Sequence, residues 1–225
     1  MADQKKPILE PTTQAFVDAL AAQGGKPLYE LSYADARRVL EEAQAMEVTK
    51  PPADVEEKTL PVGPGGEVSV RIYRPKGSKG LLPVVMYFHG GGWILGSKNT
   101  HDRLLRDLVN ATHAAFVFVN YTPSPAAYFP VPIEQDYAAT KYIAEHGQEL
   151  GFDGSRLALA GDSVGGNAVA VVAQLQGAQR TSHSVPGHDV SRDRFEPLAG
   201  NVRRVRRRPL VDSGCDGLVL GCLCA

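Results

Sequence analysis

The chain has 225 residues, 43% of them hydrophobic, and its 24 Lys and Arg nearly cancel its 25 Asp and Glu, for a formal net charge of -1. That length allows one domain with a real hydrophobic core, and the charge balance points to neither a nucleic-acid nor a membrane-surface partner for the chain as a whole. "MADQKKPILEPTTQ" has no apolar core of signal-peptide length and no run reaches the length of a membrane span, so a soluble, cytoplasmic protein is expected.

The first fifty residues read as helical. "PTTQAFVDALAAQ" puts Phe16, Ala19 and Leu20 on one face, with Thr12 or Thr13 as N-cap. "SYADARRVLEEAQAM" follows, with Ser32 or Asp35 near its start and Val39, Leu40 and Met46 as apolar positions. "KPPADVEEKTLPV" breaks the helices. Two strand-like runs come next: "EVSVRIYRP" alternates at Val68, Val70 and Ile72, whereas the unbroken "LPVVMYFHG" suits a strand buried on both faces. "DRLLRDLVNATH" then reads as helix, "AAFVFVNY" as buried strand, "PIEQDYAATKYIAEHGQEL" as helix, "SRLALAG" as short strand and "SVGGNAVAVVAQLQ" as helix. Such alternation predicts an α/β domain with a mainly parallel sheet.

Beyond Gln176 the pattern stops. From there the chain holds eight arginines and no lysine, and all three cysteines (Cys215, Cys222, Cys224) lie at its end. No helical or strand period runs through "GAQRTSHSVPGHDVSRDRFEPLAGN", and a structureless stretch of that length is uncommon inside a compact domain. The organisation expected is a helical segment at 1–50, an α/β core at 51–176 and an aberrant tail at 177–225, disordered or out of frame.

Two motifs carry chemistry. "GDSVGG" fits G-x-S-x-G at Gly161, Ser163 and Gly165, between a buried strand and an apolar helix. Small flanking residues let such a strand–turn–helix expose the serine hydroxyl, and the helix N-terminus favours negative charge developing beside it. The plainer alternative is a Gly-rich helix start that only packs. "HGGGW", His89 to Trp93, follows the strand "VVMYF" directly. Its consecutive glycines leave backbone N–H groups free to point at a ligand, as an oxyanion hole requires, although such a run alone also fits a flexible turn or a phosphate loop. His89 reads as a structural residue of this loop, not a catalytic base. Trp93 either packs near the site or lines an acyl pocket. His101, His113 and His146 fall in or beside surface helices and read as solvated.

In this order, the two motifs and the intervening "NYTPSPAAYFPVPIEQDYAATKYI" resemble the hormone-sensitive-lipase-like esterases, a branch of the α/β-hydrolases. The resemblance covers residues 51–176, and the helical N-terminus would match that family's cap. It implies Ser163 as nucleophile, the N–H groups of Gly91, Gly92 and Val164 as oxyanion hole, and His89 and Gly90 as support for that loop. Asp162 would hydrogen-bond to fix the elbow. The reaction implied is hydrolysis of a small-molecule ester through an acyl-enzyme, with no metal or cofactor and no nucleic-acid partner.

In that fold the nucleophile is followed by an acid and then a histidine. Here the later histidines are His183 and His188, and Asp189, Asp193, Asp212 and Asp216 all follow both, so none is assigned to a triad. Reading the codons implied from Gln179 onward from their second base permits "KGPAIRFQVMTYPVTDSN" and then an aromatic amphipathic helix, both similar to what the family carries after its elbow helix. A shift of frame close to Gly177 is therefore expected, with a longer intact gene. An intact frame through codon 225 in freshly sequenced DNA would sink that idea. Two other readings compete: a ligand-binding protein that kept the fold and lost the chemistry, and a nucleic-acid arm at the five arginines of "NVRRVRRRP", Arg203 to Arg208.

Overall fold

A computed structural model of the chain describes residues 8–45 and 48–182. The tail motifs, its histidines and cysteines, and Met46 lie outside the described residues. In chain order the elements are α1 (Pro11–Gln23), α2 (Tyr33–Gln44), β1 (Ala53–Leu60), β2 (Val68–Pro75), β3 (Leu82–Phe88), α3 (Asp102–Thr112), β4 (Ala115–Val119), α4 (Val131–His146), β5 (Phe152–Gly161) and α5 (Val164–Ser182). Short 3₁₀ turns at Leu28–Glu30 and Gly147–Leu150 complete the order. Among the described residues no helix is long and apolar enough to cross a membrane.

The five strands form one sheet in the order β1-β2-β4-β3-β5. β4, β3 and β5 run parallel, while β1 and β2 continue the sheet antiparallel. Strand alternation sends side chains to two cores. Val70, Ile72, Val84, Met86, Phe88, Val117 and Val119 pack with Ile133, Ile143, Ala168 and Val172 from α4 and α5. On the opposite face, Tyr73, Tyr87, Phe116 and Phe118 pack with Leu105 and Val109 of α3. Helices on both faces explain why "AFVFV" shows no polar alternation: all five residues of β4 are buried.

β1 is the element the sequence concealed. "ADVEEKTL" is an edge strand whose Leu60 alone is fully buried, so its charged positions break the apolar period on which a strand assignment depends. Its Glu56 and Glu57 pair with Arg74 and Arg71 across the ladder. At α1 the cap is Glu10, not Thr12 or Thr13: its carboxylate accepts both threonine N–H groups at 3.0 Å, ahead of Pro11 in the first turn. The predicted face of α1 is exposed, with Phe16 at 63%. Ser32 caps α2 as expected, accepting Asp35 N–H at 3.1 Å. α5 continues to Ser182, beyond the helix expected to end at Gln176.

Asp136, on α4, is fully buried, and neither carboxylate oxygen has a hydrogen-bond partner among the described residues. Burial pushes its carboxyl well above the usual range.

Candidate active site

The parallel register positions the site. Phe88 at the end of β3 pairs with Gly161 at the end of β5, so the residues that follow, His89–Gly92 on one strand and Asp162–Ser163 on the other, emerge side by side. This is the carboxyl edge of the parallel strands, where open α/β sheets place their ligands. β5 leads into Ser163 and α5 starts at Val164. Ser163 has φ 51°, a left-handed conformation uncommon for a non-glycine residue, and its side chain is exposed. Backbone strain of that kind costs on the order of 1–3 kcal/mol and persists only where packing imposes it.

The packing here is backbone on backbone. A Cβ on Gly161 would lie 2.6 Å from the carbonyl oxygens of Gly165 and Phe88, and one on Gly165 would run into the Phe88 carbonyl, with its carbon at 2.7 Å. The two glycines of G-x-S-x-G therefore let β3, β5 and the first turn of α5 meet, and that meeting holds Ser163 in its tight turn. Gly165 N–H closes the turn onto Asp162 O at 2.7 Å. Gly91 is constrained in the same way: with φ 118°, a side chain would collide with Leu95 O. Its carbonyl accepts Leu95 N–H at 2.8 Å, which curls the loop after the glycines. Gly92, at φ 62°, is exposed.

Asp162 joins the two motifs. Its Oδ1 accepts Gly90 N–H and the Tyr87 hydroxyl, each at 2.9 Å, and lies 3.5 Å from Nε2 of His101. Burial opposes the charge on this carboxyl, but His101, the Gly90 N–H and the Tyr87 hydroxyl together outweigh it and hold the pKa at about 2. The same proximity, added to burial, drives the Tyr87 hydroxyl far above its ordinary value.

His89 is buried. Its ring stacks between Tyr121, centroids 4.2 Å apart, and Phe118, at 5.1 Å, and Nδ1–H donates to Gly90 O at 2.8 Å. Burial lowers its pKa to about 4, against the smaller opposing effect of the Gly90 carbonyl, so the ring is neutral at pH 7. The Tyr121 hydroxyl donates to His89 O at 3.0 Å, a second tie on the loop. Trp93 packs against the core beside Tyr121, rings tilted at 5.9 Å.

His101 corrects the reading from sequence. It is not solvated: its side chain is 14% exposed and its ring lies among Tyr87, His89 and Phe118. Its position between the glycine loop and the start of α3 was the available signal, but helix periodicity says nothing about a residue that turns inward before the helix begins. Arg37 was missed as well. From α2 its guanidinium donates to Ile94 O at 2.7 Å and Ser124 O at 2.6 Å, tying the N-terminal helix to the loops after β3 and β4.

The model of a family with the alpha/beta hydrolase fold matches residues 85–202, a span that begins in β3 and contains both motifs. The chain belongs to the hormone-sensitive-lipase-like esterase family of α/β-hydrolases. It is 42% identical over 125 residues to the carboxylesterase NlhH of Mycobacterium tuberculosis, covering 56% of this chain and 39% of that one. It is 32% identical over 180 residues to an ethyl acetate hydrolase of Pseudomonas putida, covering 76% of this chain and 57% of that one. Among solved structures, a thermostable esterase from Pseudomonas putida ECU1011 superposes with a TM-score of 0.73 at 49% identity, over 81% of this chain and 56% of that one. The chain therefore spans less than two thirds of the length of each of these relatives. In this chain both motifs sit where β3 and β5 end.

Proposed function

We propose that this protein is a carboxylic-ester hydrolase acting on small, short-acyl esters, with Ser163 as nucleophile. The observation that carries the reading is the pairing of Phe88 with Gly161, which sets the glycine loop beside the exposed serine. In this mechanism the Ser163 hydroxyl attacks the ester carbonyl and its proton passes to a base. The negative charge on the former carbonyl oxygen is met by the N–H groups of Gly91, Gly92 and Val164, with Val164 at the positive end of α5. The alcohol leaves, and water then releases the acid from the acyl-enzyme. His89 and Gly90 hold the loop, and α1 and α2 act as a cap over the site.

Among the described residues no base is assigned to Ser163. No Asp or Glu lies between Ser163 and the later histidines His183 and His188, and His89 is buried, weakly basic and engaged with Gly90 O. Loss of the base leaves on the order of 10³–10⁴-fold catalysis over water in serine hydrolases, so slow turnover by the chain alone is expected. A short-chain nitrophenyl ester assay together with covalent labelling by a fluorophosphonate tests the reading. Labelling or turnover that survives Ser163→Ala would overturn it.

The missing order of acid and histidine also favours a second reading, a protein that binds small ligands in the hydrolase fold without acylation. Saturable ester binding with no burst of released alcohol is its signature.

A further inference from the structure

We propose that His101 is a positioning residue for the glycine loop, acting through Asp162. The proposal rests on the reading of Gly91 and Gly92 as oxyanion donors, because Gly90 is the residue that delivers them. His101 is the N-cap residue of α3, and its ring reaches back under the loop. On one side Nδ1 meets Thr100 Oγ1 at 2.9 Å and Ser97 O at 3.2 Å. On the other, Nε2 faces Asp162 Oδ1 at 3.5 Å, the same oxygen that accepts Gly90 N–H. The Thr100 hydroxyl donates to Ser97 O at 3.0 Å, so toward Nδ1 it accepts, and Nδ1–H is shared between Thr100 Oγ1 and Ser97 O while Nε2 faces the carboxylate.

The consequence is electrostatic and geometric together. Asp162 is half-buried, where an ionised carboxyl needs donors. His101 supplies positive potential at the oxygen that grips Gly90, so the ring holds the charge that holds the loop. A loop displaced by a fraction of an ångström no longer presents its N–H groups to a developing oxyanion. The titratable groups facing His101 are Asp162 from the elbow, His89 from the loop and Tyr87 from β3, with Asp102 beside it on α3. Asp162 at about 2, His89 at about 4 and Tyr87 far above its ordinary value keep their charge between about pH 5 and 8. Asp102 does the same, since Lys50 and Arg106 hold its carboxyl below the usual range despite the larger opposing effect of burial.

The test is nuclear magnetic resonance of the Gly90 amide in the full chain, compared between the wild type and variants at His101. In His101→Leu the amide is expected to move upfield and exchange roughly tenfold faster. His101→Gln, which retains a side-chain N–H, is expected to restore the wild-type position. A Gly90 amide that is unchanged in a folded His101→Leu overturns the proposal. Should His101→Leu fail to fold, His101→Gln decides it: a Gly90 amide displaced from the wild-type position in that variant overturns the proposal. Failure of Ser163 to react in the unaltered chain is a separate result, which removes the esterase reading and leaves the Gly90 signal untouched.

Discussion

The Oδ1 atom of Asp162 and the backbone N–H of Gly90 meet at 2.9 Å across a separation of 72 positions, and this hydrogen bond ties the turn at Ser163 to the glycine loop. The same oxygen takes the Tyr87 hydroxyl. Asp162→Asn removes the charge and is expected to lower stability by about 1–2 kcal/mol, since the site is partly solvent-screened. Because the folded pKa lies below the unfolded one, this stabilisation is present above the unfolded value near 4 and is lost as pH falls through about 2. Urea denaturation of both proteins at pH 7 and near pH 3 checks it: the difference should shrink at the lower pH.

Ser163→Ala is expected to abolish fluorophosphonate labelling and any ester turnover while leaving the fold intact. The side chain is exposed, so its loss opens no cavity. Intact circular dichroism with labelling below detection is the outcome to look for in mass spectrometry.

Gly165→Ala meets the Phe88 carbonyl, and neither backbone segment is free to move because β3 is an interior strand. A loss of about 3 kcal/mol or more is expected, in the range of overpacked cores. Gly177→Ala, with open space around its position, serves as the control and should be neutral or slightly stabilising. A urea series distinguishes the two.

Asp136 gives a pH dependence of opposite sign. Its folded pKa is raised by burial, so the folded state holds a proton that the unfolded state releases. Its contribution is fully present below the unfolded value near 4 and is lost as pH rises through the folded value. Asp136→Asn, similar in shape and unable to ionise, should flatten the fall of stability as pH rises above the unfolded value near 4 and leave the protein more stable at the upper end. Thermal unfolding at a series of pH values measures it.

Arg37→Ala cuts the tie between α2 and the loops carrying Ile94 and Ser124. Two buried or half-buried carbonyls then lose a charged donor, at a cost of about 1–3 kcal/mol. Faster amide exchange should appear in α2 and in the loop after Trp93, with β3, β4 and β5 unchanged. Hydrogen exchange resolved along the chain is the measurement.

Much of this molecule was legible in order. The alternation of apolar runs gave the strands β2 to β5 and the helices between them, because burial on one or both faces imposes a period on the sequence. The two motifs were legible for a related reason: glycines at 161 and 165 mark a place where backbones touch, and three glycines in a row mark a tight loop at the end of β3. β1 was not, since an edge strand covered by charges has no apolar period. The Glu10 cap was missed because the carboxylate before Pro11 competes with two nearby threonines that also look like caps.

The sequence by itself determined which residues stand at the turn between strand and helix and in what order the motifs come. Only the tertiary structure decided which distant groups stabilise them. Asp162 reaches Gly90 because β3 and β5 are neighbours in register, His101 faces that carboxylate from the start of α3, and Arg37 spans two loops that no local pattern connects. Polar contacts of this kind are set by distance and donor geometry after packing has brought the strands together. They leave no period in the chain, and they are what converts two short motifs into one site.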